Sequence, residues 1–82
     1  MKNKIKQFDL KTPDLGDSER IELIKWYIKE GSEIEEGDEI LELVTDKAAF
    51  PMESPYRGKL IEIRKQEGSI VKTGEILGVM EI

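Results

Sequence analysis

The chain repeats itself once. Glu30-Gly31-Ser32 returns as Glu67-Gly68-Ser69, an offset of 37 since 68 minus 31 is 37. At that spacing Ile34 falls on Val71, Gly37 on Gly74, Asp38 on Glu75, Ile40 on Leu77 and Leu43 on Met80, without a gap. A unit present only twice cannot build a solenoid, which needs about three stacked repeats to cover its apolar faces. Two half-domains are instead expected to pack face to face about a pseudo-twofold axis.

Each half reads as short strands punctuated by glycine turns. The first gives a strand over 22–28 with Trp26 and Ile28 on one side, a turn at Gly31, then Ile34, a turn at Gly37 and a strand over 40–45. The second gives 59–63, a turn at Gly68, Ile70 and Val71, a turn at Gly74 and a last strand over 76–82. Ile5, Phe8 and Leu10 mark a further strand at the start. This spacing suits an all-β sandwich, and the four turn glycines are expected at positive φ, where a Cβ is disfavoured. Trp26, Ile28, Ile34, Ile40, Leu43, Leu60, Ile63, Val71, Leu77 and Met80 are expected to fill the space between the sheets. Residues 12–20 contain Pro13, Asp14, Gly16, Asp17 and Ser18 and read as a surface loop, with its return beside one of the hairpin turns left open.

Composition removes several chemistries. The 82 residues suffice for one domain, 1–82, with a small core. No apolar run is long enough to span a bilayer, and the basic start MKNKIKQF lacks the apolar stretch of a signal peptide, so it reads as mature structure. With no cysteine and no histidine there is no disulfide framework, no thiolate zinc site and no imidazole general base. A net charge of -5 argues against a phosphate backbone as ligand and in favour of basic protein partners.

Between the repeats, a strand ends at Thr45 and another over 48–54 begins almost at once. Asp46 and Lys47 then occupy the centre of a four-residue hairpin turn, and the Lys47 amine projects from an exposed tip. A modifying enzyme needs such exposure, and a long stem on a rigid platform lets an attached group visit several active sites. Pro51, lacking an N–H, is expected on a strand edge or at an unpaired position.

The order PDLG, IKWYIKEGSEIEEGDEI, TDKA, SPYRG and QEGSIVKTGEIL resembles a lipoyl domain of 2-oxo acid dehydrogenase complexes over essentially the whole chain. The resemblance implies a flattened sandwich of two four-stranded antiparallel sheets, and lipoate in amide linkage on Lys47 with Asp46 and Ala48 as recognition neighbours. It implies as partners a lipoate-attaching enzyme, a thiamine-dependent 2-oxo acid decarboxylase, an acyltransferase core and the flavin enzyme dihydrolipoamide dehydrogenase. The chemistry belongs to those partners. It also implies a cytoplasmic setting, or the mitochondrial matrix in a eukaryote, and a monomeric domain excised from an acyltransferase. The absence of cysteine is consistent with a reduced lipoyl arm, with which a protein thiol would exchange. Two residues depart from the family pattern: Val44 stands where a glutamate commonly precedes the turn, and Pro51 where an acidic residue often follows.

Three other readings compete with this one. A biotin carrier shares the fold and the hairpin-tip lysine but typically flanks it with methionines; here the neighbours are Asp46 and Ala48, and Met52 lies five positions on. A binding module for peptide or nucleic acid lacks, for the latter, an aromatic platform, since Phe8, Trp26, Tyr27, Phe50 and Tyr56 are scattered. An enzyme in its own right has only carboxylates to work with: Glu33, Glu35 and Glu36 read as solvated charge, and Glu39 and Glu42 could in principle serve as an acid and base pair but nothing in the sequence places them in a pocket.

Overall fold

The computed structural model of the protein describes residues 6–16 and 20–82. Eight strands follow one another: β1 Gln7–Lys11, β2 Ile21–Trp26, β3 Glu33–Ile34, β4 Glu39–Val44, β5 Ala49–Glu53, β6 Gly58–Ile63, β7 Ile70–Val71 and β8 Ile76–Glu81. They form two four-stranded antiparallel sheets, ordered β1-β8-β6-β3 and β5-β4-β2-β7. The repeat is visible in this order. Exchanging β2 with β6, β3 with β7, β4 with β8 and β1 with β5 converts one sheet into the other.

The halves do not, however, stack as one sheet each. β3 of the first half pairs with β6 of the second, and β7 of the second pairs with β2 of the first, so the halves interlock. The turns are correspondingly reciprocal: Gly31 N–H donates to the Leu60 carbonyl, and Gly68 N–H to that of Leu23, each at 2.7 Å. Both turns lie at positive φ, 89° and 92°, as expected for glycine, and Gly37 and Gly74 do the same.

Two apolar clusters fill the sandwich. One holds Ile21, Leu23, Leu41, Leu43 and Val71 from one sheet with Leu77 from the other; its counterpart holds Leu10, Ile34, Leu60 and Met80 with Ile40 crossing over. Ile40 and Leu77 cross because each is the extra residue of a β-bulge, at equivalent places in β4 and β8. Seven of the ten expected core residues are buried; Trp26, Ile28 and Ile63 are only half-buried, since they sit where the strands end. Trp26 packs on both clusters and donates its Nε1–H to the Lys65 carbonyl at 2.7 Å.

Residues 12–16 are not simply a surface loop. Thr12 is buried and its N–H and hydroxyl both donate to the Glu75 carbonyl, while Gly74 N–H donates to the Thr12 carbonyl, which lays this segment beside the Gly74 turn. Leu15 packs against the first cluster. Ile5, Asp17 and Ser18 lie outside the described residues. Pro51 is in the edge strand β5, where its missing N–H costs no ladder bond.

Candidate functional site

β4 and β5 run antiparallel with Leu43 opposite Phe50 and Val44 opposite Ala49, so the chain reverses across Thr45–Ala48. The strands therefore stop one residue short of the expected ends on both sides. Asp46, Lys47 and Ala48 are exposed, as a hairpin tip requires, whereas Thr45 is only 7% exposed. Lys47 stands at the tip with its stem free of ion pairs among the described residues.

The way this turn is held differs from the common two-residue hairpin, which takes a type I′ or II′ form with positive φ. No described non-glycine residue has positive φ, Asp46 and Lys47 included. The side chain of Thr45 supplies what the backbone geometry does not. Its Oγ1 accepts the N–H of Lys47 at 3.1 Å and that of Ala48 at 3.2 Å, and its hydroxyl faces the Ala48 carbonyl at 3.4 Å. Thr45 N–H closes the pair by donating to that same carbonyl at 2.9 Å. Beside the tip lies a cavity of about 210 Å³ lined by Arg20, Glu22, Val44, Thr45 and Asp46. Asp46 and Lys47 sit at the centre of the Thr45–Ala48 turn, as expected from the sequence, whereas the bonds of the Thr45 side chain were not foreseen. A threonine two residues before the apex is a known local signal for such a turn.

The arrangement presents a primary amine on a fixed platform with space around it. Lys47 does not line the cavity next to the tip, and among the described residues no group of three or more acidic, histidine or cysteine side chains is placed to hold a metal. This suits a covalently attached group whose far end must travel.

Comparison with known proteins now decides the family, because the model described as Biotin_lipoyl, "Biotin-requiring enzyme", matches residues 8–80. The chain belongs to the Biotin_lipoyl family. Among relatives of this Biotin_lipoyl chain, the dihydrolipoyllysine-residue acetyltransferase component of the pyruvate dehydrogenase complex of Bacillus subtilis is 34% identical over 71 residues, 85% of this chain and 16% of that protein. The dihydrolipoyllysine-residue succinyltransferase component of the 2-oxoglutarate dehydrogenase complex of Buchnera aphidicola is 40% identical over 73 residues, 88% of this chain and 19% of its own length. The chain thus spans less than a fifth of either relative. In structure it matches the lipoyl domain of the 2-oxoglutarate dehydrogenase complex from Azotobacter vinelandii with a TM-score of 0.76 at 29% identity, over 88% of this chain and 92% of that one. Its fold is that of a lipoyl domain.

Proposed function

We propose that this domain is a swinging-arm carrier that bears lipoate in amide linkage to Lys47 and serves an acyltransferase of a 2-oxo acid dehydrogenase complex. The observation that carries the reading is the position of Lys47: a solvated amine at the tip of a two-residue turn, held by a buried threonine at the end of the β4–β5 pair. When bound, lipoate supplies a dithiolane that accepts an acyl group with reduction and is later reoxidised. The domain's own residues do other work. Lys47 Nζ provides the nitrogen of the amide and four methylenes of reach. Asp46 and Ala48 flank it and form the surface an attaching enzyme meets first. The β4–β5 hairpin keeps that surface in one place, which lowers the cost of productive encounter.

The partners are then those of the parent complex: a thiamine-dependent decarboxylase that loads the arm, the acyltransferase core that unloads it, and a flavin enzyme that reoxidises it, in the bacterial cytoplasm or the mitochondrial matrix. The domain catalyses none of these steps. The test is intact mass after co-expression with a lipoate-attaching enzyme and, separately, a biotin-attaching enzyme, on wild type and Lys47→Arg. Lipoate on the wild type and none on the variant is expected. A biotin adduct at Lys47 moves the domain to the carboxylase carriers, and no adduct from either enzyme removes the carrier reading.

A further inference from the structure

Three buried hydroxyl residues occur among the described residues: Thr12, Thr45 and Ser54. Thr12 and Ser54 are a symmetric pair. Thr12 N–H donates to the Glu75 carbonyl and Ser54 N–H to that of Asp38, while Gly74 and Gly37 return bonds to the carbonyls of Thr12 and Ser54. These two hydroxyl residues belong to the shared plan of the two halves. Thr45 has no such counterpart, for the offset of 37 carries position 45 to 82, which is Ile82.

The comparison with Ile82 shows what the hydroxyl changes. At that end Ile82 N–H donates to the Lys6 carbonyl at 2.8 Å, and Lys6 N–H returns the bond to the Ile82 carbonyl at 3.3 Å. At the hairpin, Thr45 N–H donates to the Ala48 carbonyl in the same manner. The return bond is different: Ala48 N–H, the equivalent of Lys6 N–H, goes to the Thr45 hydroxyl instead of the backbone carbonyl, and Lys47 N–H joins it there. A hydroxyl has two acceptor lone pairs and one donor proton, and these three contacts use all of them. Closing the ends of the sandwich needs no hydroxyl, as Ile82 demonstrates, so the special demand at position 45 comes from the tip it supports.

We infer that Thr45 is a positioning residue for attachment at Lys47: its hydroxyl holds the apex in a negative-φ turn and thereby sets the direction in which the lysine stem leaves the domain. This rests on the carrier reading above. Without the hydroxyl, two neighbouring N–H groups lose their acceptor, and the two-residue loop relaxes toward forms that need positive φ at Asp46 and Lys47. The amine is then displaced from where an attaching enzyme must receive it, and misplacement of about 1 Å suffices to slow a group transfer strongly.

The experiment measures the kinetics of lipoate transfer to the full chain by intact mass, using a lipoate-attaching enzyme, for wild type, Thr45→Val and Thr45→Ser. For Thr45→Val, kcat is expected to fall about tenfold or more with KM within about twofold, because the docking surface persists while the amine moves. Thr45→Ser, which keeps the oxygen, is expected to stay within about twofold of wild type in both constants. Amide hydrogen exchange supplies a second readout: Thr45→Val should accelerate Lys47 and Ala48 while Leu43 remains protected. If Thr45→Val does not fold, Thr45→Ala carries the same comparison. Wild-type kcat in the Val or Ala variant overturns the inference, as does a Ser variant as slow as Val. A wild-type chain that takes no lipoate overturns the carrier reading and this inference with it, whereas equal rates on a wild type that is modified overturn this inference alone.

Discussion

At the end of β8 the chain meets β1 through paired backbone bonds between Ile82 and Lys6, whereas at the end of β4 it turns within two residues into β5. The two ends share strand pairing, spacing and core, and they differ in what lies beyond. One is a join between chain segments far apart in sequence, the other a tight loop carrying a lysine. Elsewhere the halves agree closely. The Glu30 carboxylate accepts the N–H of Ile63 at 2.7 Å, and its equivalent Glu67 accepts that of Trp26 at 2.9 Å, so each half caps a strand end of the other. A duplicated plan thus builds the platform, and local departures from it mark where the halves have acquired separate tasks.

The largest expected effect tests a departure at the start of β2 and β6, where Ile21 has Gly58 as its counterpart. A Cβ at Gly58 would lie 1.9 Å from the Glu81 carbonyl oxygen, inside the β6–β8 pair, whereas Ile21 is buried and fills its site. Gly58→Ala should therefore cost about 3 kcal/mol through backbone displacement, and Ile21→Ala about 2 kcal/mol through lost burial. Urea denaturation measures both. A loss under about 1 kcal/mol for Gly58→Ala would mean that the close approach is relieved by small shifts, and the asymmetry would lose its structural meaning.

A second departure couples the halves. Trp26 lies opposite Leu41, and at the equivalent place Ile63 lies opposite Gly78; the indole uses the space left by the glycine, since a Cβ there would come within 2.9 Å of the ring. Trp26→Phe removes the bond to the Lys65 carbonyl and part of this contact, for an expected loss of about 1–2 kcal/mol. Ile63→Val should cost about 0.5–1 kcal/mol. Thermal unfolding of the two variants would rank them, and the reverse order would show that the indole is a surface side chain despite its packing.

The repeat made six of the strands and the glycine turns legible, because glycine spacing survives in sequence whatever the side chains do; β1 followed from alternation and β5 from the tightness of the hairpin. The core was less legible. With Trp26 and Ile28 taken to share a face, strict alternation turns Leu23 outward, yet Leu23 and Trp26 both pack on the first cluster because the bulge after Leu23 shifts the parity of β2. Leu41 was missed beside Ile40 for the same reason: adjacent residues are both buried when the first belongs to a bulge. At the site, the positions of Asp46, Lys47 and Ala48 followed from the shortness of the loop. The part played by Thr45 did not, since it depends on the φ values of the turn and on which amide reaches which oxygen.

The smallest expected effect concerns charge at the Gly37 and Gly74 turns. Asp38 accepts the N–H of Glu35 at 2.9 Å, and its counterpart Glu75 accepts that of Lys72 at the same distance. Among the described residues Glu75 also forms an ion pair that Asp38 lacks, Lys65 Nζ to Glu75 Oε2 at 2.8 Å, because Lys65 stands where the first half has Ile28. The bond from Lys65, with help from the Lys72 N–H, holds the Glu75 carboxyl below its ordinary value of 4.5. A carboxyl more acidic in the folded state stabilises the fold above its unfolded pKa, and that contribution disappears as pH falls through the folded one. A Glu75→Gln, Lys65→Met double-mutant cycle should therefore show a small favourable coupling at neutral pH that weakens with added salt and vanishes well below pH 4.5. Coupling that persists unchanged in acid would assign the contact to packing of the lysine stem, leaving Glu75 with the same part in its turn as Asp38, acceptor of one backbone N–H.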